Sequence, residues 1–285
     1  DNINDEKKEI ILKALKEANK ELEITAFKLE RTEKVKRTTA ILLEETIEEL
    51  EQKRKAVEEQ AEIIRAENDR KTIELEEARQ LQLAMLPREL PKMANLDIAV
   101  YMKTATEVGG DYYDFHISDD GTLTTVIGDA TGHGMKAGTI VSMIKTLFAS
   151  SGSIIDMKSF FNQSSDTLKG IELGRLMMAF AMIKIKFNKL SFVNAGMPPL
   201  FIYRNVSKVV EEIMINGMPL GAMKNFPYEI KELEISSGDT ILALSDGFPE
   251  LKNQNDEEFG YTEVKEKFKS FAEKSPAEIV EHLKN

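Results

Sequence analysis

The chain of 285 residues has no cysteine and only three histidines. Disulfides and thiolate metal sites are therefore excluded, which agrees with a reducing compartment. Positive charge is in deficit: 38 Lys and Arg face 49 Asp and Glu, a net charge of −11. A nucleic-acid partner would call for basic stripes, so none is expected, and a nuclease or phosphodiesterase is disfavoured. No uninterrupted apolar run reaches the roughly 18 residues of a membrane span, and the polar, acidic start does not read as a signal peptide. The expectation is a cytoplasmic chain without membrane contact, either alone or as the cytoplasmic part of a larger sensor.

A further absence divides the chain. Residues 1–86 contain neither glycine nor proline and are rich in Glu, Lys, Leu and Ala, whereas every Gly and Pro lies within 87–285. The break, marked by Pro87 and Pro91, predicts two domains, 1–86 and 87–285. Steps of seven from Leu15 reach Leu22, Leu29, Lys36, Leu43, Leu50, Val57, Ile64, Lys71, Ala78 and Met85 without a slip of phase. A long coiled coil follows, and Asn19 and Asn68 in the facing layer favour a parallel homodimer. The alternative is a single solvated helix with many i,i+4 charge pairs. Glu33 and Lys36 put charges in successive layers, a soft point or a tolerated polar layer. The last coil turns run into Pro87 without slack, so Gln80, Leu81, Met85 and Leu86 are expected to transmit a twist or register change.

The second part alternates short elements. Strands are expected at 96–102, 123–128, 177–186, 190–194, 200–204, 209–215, 228–235 and 240–244, and helices at 138–150, 157–169, 261–271 and 276–283. Strand-rich stretches with short turns suggest antiparallel sheets packed by helices, an α+β class. Three acidic motifs stand out: Val108-Gly-Gly-Asp-Tyr-Tyr-Asp114, Ile127-Gly-Asp-Ala-Thr-Gly-His-Gly134 and Leu244-Ser-Asp-Gly-Phe-Pro-Glu250. Each sets an aspartate beside glycine, at or near the end of an apolar run. Converging carboxylates repel unless a cation lies between them, and all-oxygen ligation suits Mg²⁺ or Mn²⁺ better than zinc.

Residues from about 78 to 260 resemble the SpoIIE/RsbU-like bacterial serine phosphatases, a branch of the metal-dependent PPM (type 2C) phosphatases. The resemblance rests on Gln80-Leu-Gln-Leu-Ala-Met-Leu-Pro87, Gly110-Asp-Tyr-Tyr-Asp-Phe115, Gly128-Asp-Ala-Thr-Gly-His-Gly134, Asn194-Ala-Gly-Met-Pro-Pro199, Gly217-Met-Pro-Leu-Gly221 and Ser245-Asp-Gly-Phe-Pro-Glu250. One such piece is weak, since Asp-Gly is a common turn, but six in the family's order are specific.

The resemblance implies a four-layer α-β-β-α sandwich preceded by the coiled coil, with two Mn²⁺ or Mg²⁺ ions at one edge. It implies Asp129 as the bridging carboxylate, with the Ala130 carbonyl beside it, and Asp111 and Asp246 as the other direct ligands. Asp114 either acts on the metals through water or fixes its turn by a hydrogen bond. His133 is a candidate acid for the leaving oxygen, against capping the following helix or ordering water. Glu250 orients water or the Asp246 loop, or is simply exposed. Asn194–Pro199 is expected to be a structural turn near the site, with Met197 where the family more often has histidine. The family usually carries a further terminal acidic motif that does not follow Glu250 here, so the ligand set is expected to be incomplete, with C-terminal strands missing. The implied substrate is a phosphoserine or phosphothreonine protein, typically a STAS-type anti-sigma-factor antagonist in partner switching. A degenerate, non-catalytic phosphatase-like scaffold is the alternative.

Overall fold

A computed structural model describes residues 5–103, 108–151, 156–171, 176–253 and 256–284. By its internal contacts the chain divides into Asp1–Lys71 and Thr72–Asn285. This division falls upstream of the compositional break at Pro87, because the last turns of the first helix belong to the second unit.

The first unit is helix alone, part of α1 (Asp5–Met85, 81 residues). With no Gly or Pro and a surfeit of Leu, Ala, Glu and Lys, nothing in this stretch opposes the helical backbone. Thr25, Thr32 and Thr46 donate back to carbonyls four residues earlier at 2.7–2.8 Å, and pairs such as Lys53–Glu49 lie along the surface. The charges at Glu33 and Lys36 do not interrupt it. The heptad residues Leu15, Leu22, Leu29, Leu43, Leu50, Val57 and Ile64 are exposed by 56–70%.

The second unit is the α+β sandwich. β1 (Asp111–Ile117), β2 (Leu123–Ala130), β3 (Met178–Lys186), β4 (Lys189–Ala195) and β7 (Lys231–Glu234) form one antiparallel sheet in the order β1-β2-β3-β4-β7. β5 (Leu200–Arg204), β6 (Val209–Ile213) and β8 (Thr240–Leu242) form a second, in the order β6-β5-β8. The helices are α2 (Met135–Ser150), α3 (Met157–Gly170), α4 (Gly260–Phe271) and α5 (Pro276–Lys284).

Strand alternation produces the layers. Tyr112, Val126, Phe180, Met182 and Val193 face α2 and α3, meeting Ile140, Ile144, Phe160 and Phe161. The alternate residues Ile127, Ala181, Ile183 and Phe192 face the second sheet, meeting Leu200, Ile202 and Ile213. On the far side, Phe201 and Tyr203 of β5 meet Val264, Phe268 and Ile279 of α4 and α5. A period of two along each strand therefore fills three separate cores and stacks four layers, helix–sheet–sheet–helix. Met178 and Met182 are fully buried core filler.

Two expectations need correction. The apolar segment 96–102 is not a strand; it has only an isolated bridge, Met93 with Leu96. Its side chains find partners without a ladder: Leu96 packs against the inter-sheet core, and Lys284 Nζ sits 5.0 Å from the Tyr101 ring centre. Conversely, Asp111–Ile117 is a full strand that apolar runs do not announce.

Candidate active site

β1 and β2 pair so that Asp111 stands opposite Asp129, at the end of the sheet from which α2 departs. Both belong to the strand faces that look toward the second sheet. Asp246 follows β8, which brings it to the same edge from the other sheet. The approach depends on Gly110: a Cβ there would lie 2.5 Å from the Ala130 carbonyl oxygen and 2.7 Å from an Asp129 carboxylate oxygen. Glycine thus lets two backbones and a carboxylate share one space, and the Ala130 N–H donates to Gly110 O at 3.0 Å.

Asp129, Asp246 and Glu250 border a cavity of about 300 Å³. Its other walls are largely apolar, with Met197, Pro198, Pro199, Met214 and Tyr261 beside Glu212. The 194–199 turn that supplies three of them is closed by Asn194, whose amide donates to Met197 O and accepts from Met197 N, each at 2.8 Å. Met197 is buried in the inter-sheet core. A hydrogen bond from the Glu250 N–H to Asp246 O, 3.0 Å, folds the acidic loop so that both side chains reach one cavity.

The charges at this edge are unbalanced. Burial, then the neighbouring charges of Asp111, Asp246 and Glu250, push the Asp129 carboxyl up to about 7. Burial raises Asp111 as well; a hydrogen bond with Ser245 lowers it in part, and Asp246 raises it further. Tyr261 is raised by burial and by Asp246 and Glu250. Among the described residues, no three acidic or imidazole side chains converge closely enough to hold an ion by themselves. The electrostatic coupling and the shared cavity nevertheless place these carboxylates on one small region. An oxygen-only donor set with excess negative charge and an adjacent carbonyl fits a hard divalent cation that keeps several waters.

This repulsion has a measurable sign. A carboxyl raised in the folded state contributes stability that is full below its unfolded value, about 4, and is lost as pH climbs through about 7. The metal-free protein should therefore lose a few degrees of Tm between pH 5 and pH 8. Asp129→Asn should flatten that dependence, and thermal melts across the range check it. A slope unchanged in the variant would mean that Asp129 does not carry the strain.

Asp114 lies elsewhere. Strand alternation turns it to the α2 face, where it is buried, accepts from Tyr112 Oη at 2.7 Å and from the Phe115 N–H at 2.9 Å, and pairs with Lys145 Nζ at 2.6 Å. These contacts lock β1 to α2. Lys145→Met should cost about 2–3 kcal/mol by leaving a buried carboxylate without its cation. Mn²⁺ affinity of the folded variant, read by calorimetry, should stay unchanged.

His133 is exposed in the turn before α2 and outside the cavity lining. Nor does it cap that helix, whose N-cap is Gly134 without a side-chain cap hydrogen bond. Of the stalk residues, Gln80 bonds Glu76 on its own helix at 2.7 Å and Leu81 is 67% exposed. Met85 takes a 3.4 Å hydrogen bond from Ser142 of α2, and Leu86 packs on the core beneath α2 and α3. Sequence reasoning missed Ser245, although it adjoins Asp246, and Tyr261, which carries no motif. It also missed Gln82, which is buried against the start of β1.

Layers and site together define the type 2C phosphatase fold. The solved SiaA-PP2C domain of Pseudomonas aeruginosa superposes with a TM-score of 0.64 at 18% identity, covering 76% of this chain and 88% of that one. Sequence relatives include Protein IcfG of Synechocystis, 28% identical over 218 residues, and the phosphoserine phosphatase RsbU of Bacillus subtilis, 26% identical over 190 residues. These alignments take in 66% and 64% of this chain but only 34% and 55% of the two relatives. The profile of the stage II sporulation protein E (SpoIIE) family matches residues 119–285. The chain belongs to that family.

Proposed function

We propose that the chain is a Mn²⁺- or Mg²⁺-dependent protein serine/threonine phosphatase with a two-metal centre. The observation that carries this reading is the meeting of Asp111, Asp129 and Asp246 at one sandwich edge, with Asp129 driven up to about 7 by its neighbours. Asp129 would bridge the ions, Asp111 and Asp246 would each hold one, and the Ala130 carbonyl would complete a ligand set. When bound, such an ion pair supplies a lowered water pKa and positive charge facing the phosphoryl oxygens.

The chain's own residues do the rest. Ser245, next to Asp246 in the chain, partly offsets the rise that burial imposes on the Asp111 carboxyl. Glu250 and Tyr261 border the cavity where a phosphoserine side chain would enter, and the Glu250 carboxylate can accept a proton from water held there. Met197, Pro198, Pro199 and Met214 give the cavity an apolar wall beside the acidic edge. No protein nucleophile is needed in this reading.

The family membership and the phosphoserine phosphatase RsbU among the relatives support a phosphoserine protein as substrate. A STAS-type anti-sigma-factor antagonist in a partner-switching pathway is the substrate we propose. Residues 1–86 would form the dimerising stalk and 87–285 the catalytic part. The exposed row Leu15, Leu22, Leu29, Leu43, Leu50, Val57 and Ile64 supports a parallel homodimer, because a second copy would cover it. The deciding experiment is phosphate release from a phosphoserine STAS protein with and without Mn²⁺. Mn²⁺-dependent release supports the enzyme; Mn²⁺ binding without release, or neither, leaves a phosphatase-like scaffold.

A further inference from the structure

We infer that Gln82 of α1 is a positioning residue for Asp111, acting through a clamp on the Gly109 backbone. The inference rests on the proposed role of Asp111 as a metal ligand. Gln82 is 4% exposed, though it stands on a helix most of whose residues are exposed. Its Nε2 donates to Gly109 O at 2.6 Å, and its Oε1 accepts from Gly109 N at 3.0 Å. A carboxamide carries one donor end and one acceptor end, so it satisfies both backbone groups of a single residue. Two bonds to one residue fix its orientation as well as its position. A buried amide so placed also leaves two orphaned backbone groups when it is removed.

Gly109 stands two residues before Asp111, in a segment with no slack. Val108 O accepts from the Gly134 N–H at 3.1 Å, and Gly110 O accepts from the Ala130 N–H at 3.0 Å. The Val108 side chain fits against Gly138 of α2, where a Cβ would stand 2.8 Å from it. The 108–111 stretch is thus held on one side by the loop that carries Asp129 into α2, and on the other by Gln82. If Gly109 moves, Asp111 moves against Asp129, and misplacement of a reacting group by about 1 Å can cost on the order of a hundredfold. The clamp also joins the end of α1 to a ligand-bearing strand by direct hydrogen bonds, within one compact unit.

The test is Mn²⁺ titration calorimetry on the full chain carrying Gln82→Met, which keeps volume and loses both bonds. Gln82→Glu, which keeps the acceptor but sets a carboxylate against Gly109 O, is the second variant. Gln80→Ala is the control, an exposed amide two residues away. Both Gln82 variants should bind Mn²⁺ at least about tenfold more weakly, as expected when a group supporting a metal ligand is lost, and Gln80→Ala should match the parent. In the unmutated chain, Mn²⁺ should slow amide exchange at Gly109, since coupling between the clamp and the ligand is reciprocal. That measurement needs no variant to fold. A folded Gln82→Met with parental Mn²⁺ affinity, or Mn²⁺ protection of Asp111 and Asp129 without protection of Gly109, overturns the clamp and leaves the metal reading standing. A parent chain that binds no Mn²⁺ overturns both, and Asp111→Asn, which should lose affinity in either case, separates the two failures.

Discussion

Asp129→Asn should lower Mn²⁺-dependent phosphoserine hydrolysis by at least about a thousandfold while raising the stability of the metal-free protein above pH 7. The two effects share a cause. Burial and the charges of Asp111, Asp246 and Glu250 already push the Asp129 carboxyl up to about 7. Ionising it in the metal-free protein is therefore unfavourable, and that same negative charge is what a bridging position between two dications requires. The amide keeps the shape, removes the repulsion and removes the ligand. Steady-state kinetics at saturating Mn²⁺, with paired thermal melts in chelator, read both signs. Near-parental turnover in a folded variant would remove Asp129 from the bridging position. A loss of activity accompanied by a fall in metal-free stability would mean that the substitution damages the fold instead. Breaking the Asp114–Lys145 pair should give the opposite pattern, stability lost and metal affinity kept, because Asp114 sits on the α2 face of β1, away from the face that carries Asp111.

The pair Asp111 and Asp114 also shows what could be read in advance. Their motif announces an acidic site, and the family likeness assigns Asp111, Asp129 and Asp246 to it. Which face each carboxylate takes depends on the strand's phase, and Asp111–Ile117 carries acidic, aromatic and imidazole residues at positions that give no apolar alternation. The strand is visible only once its register with β2 is known. The opposite error at 96–102 has the same root, for an apolar run specifies burial and not a ladder partner. Helices α2 to α5 were legible within about three residues, because their apolar spacing and their Gly or Pro borders are local signals. Gln82 was hidden by its own pattern. Within the Gln80–Pro87 motif it is one polar residue of a long helix, and only the approach of Gly109 from 27 residues away turns it into a buried clamp. Tyr261 and Met214 reach the cavity by tertiary packing from α4 and the segment after β6, which no spacing rule connects.

Three or four residues inserted between Lys71 and Thr72 should change basal phosphatase activity and Mn²⁺ affinity by about tenfold or more, and a seven-residue insertion should restore both. The premise is that α1 runs as one helix from Asp5 to Met85 and passes through Gln82 to the backbone before Asp111. An insertion of three or four residues turns the heptad stripe out of phase with the last turns, whereas seven residues return it to phase. In a dimer joined along Leu15–Ile64, a phase error must be taken up by under- or overwinding near the insertion or by moving the turns that hold Gly109, Ser142 and the core beneath α2. The segment after Asp129, residues 132–150, is built to take up such a shift: Gly132 and Gly134 adopt left-handed φ values of 88° and 71° just before α2, so the loop can turn without a side-chain penalty. A free hinge upstream of Gln82 would behave differently: all three insertions would dimerise, fold and turn over like the parent. Equal activity and equal Mn²⁺ affinity across the three-, four- and seven-residue insertions would reduce the coil to a dimerisation handle. The Gln82 clamp would then be a static support for Asp111, unconnected to anything the stalk does.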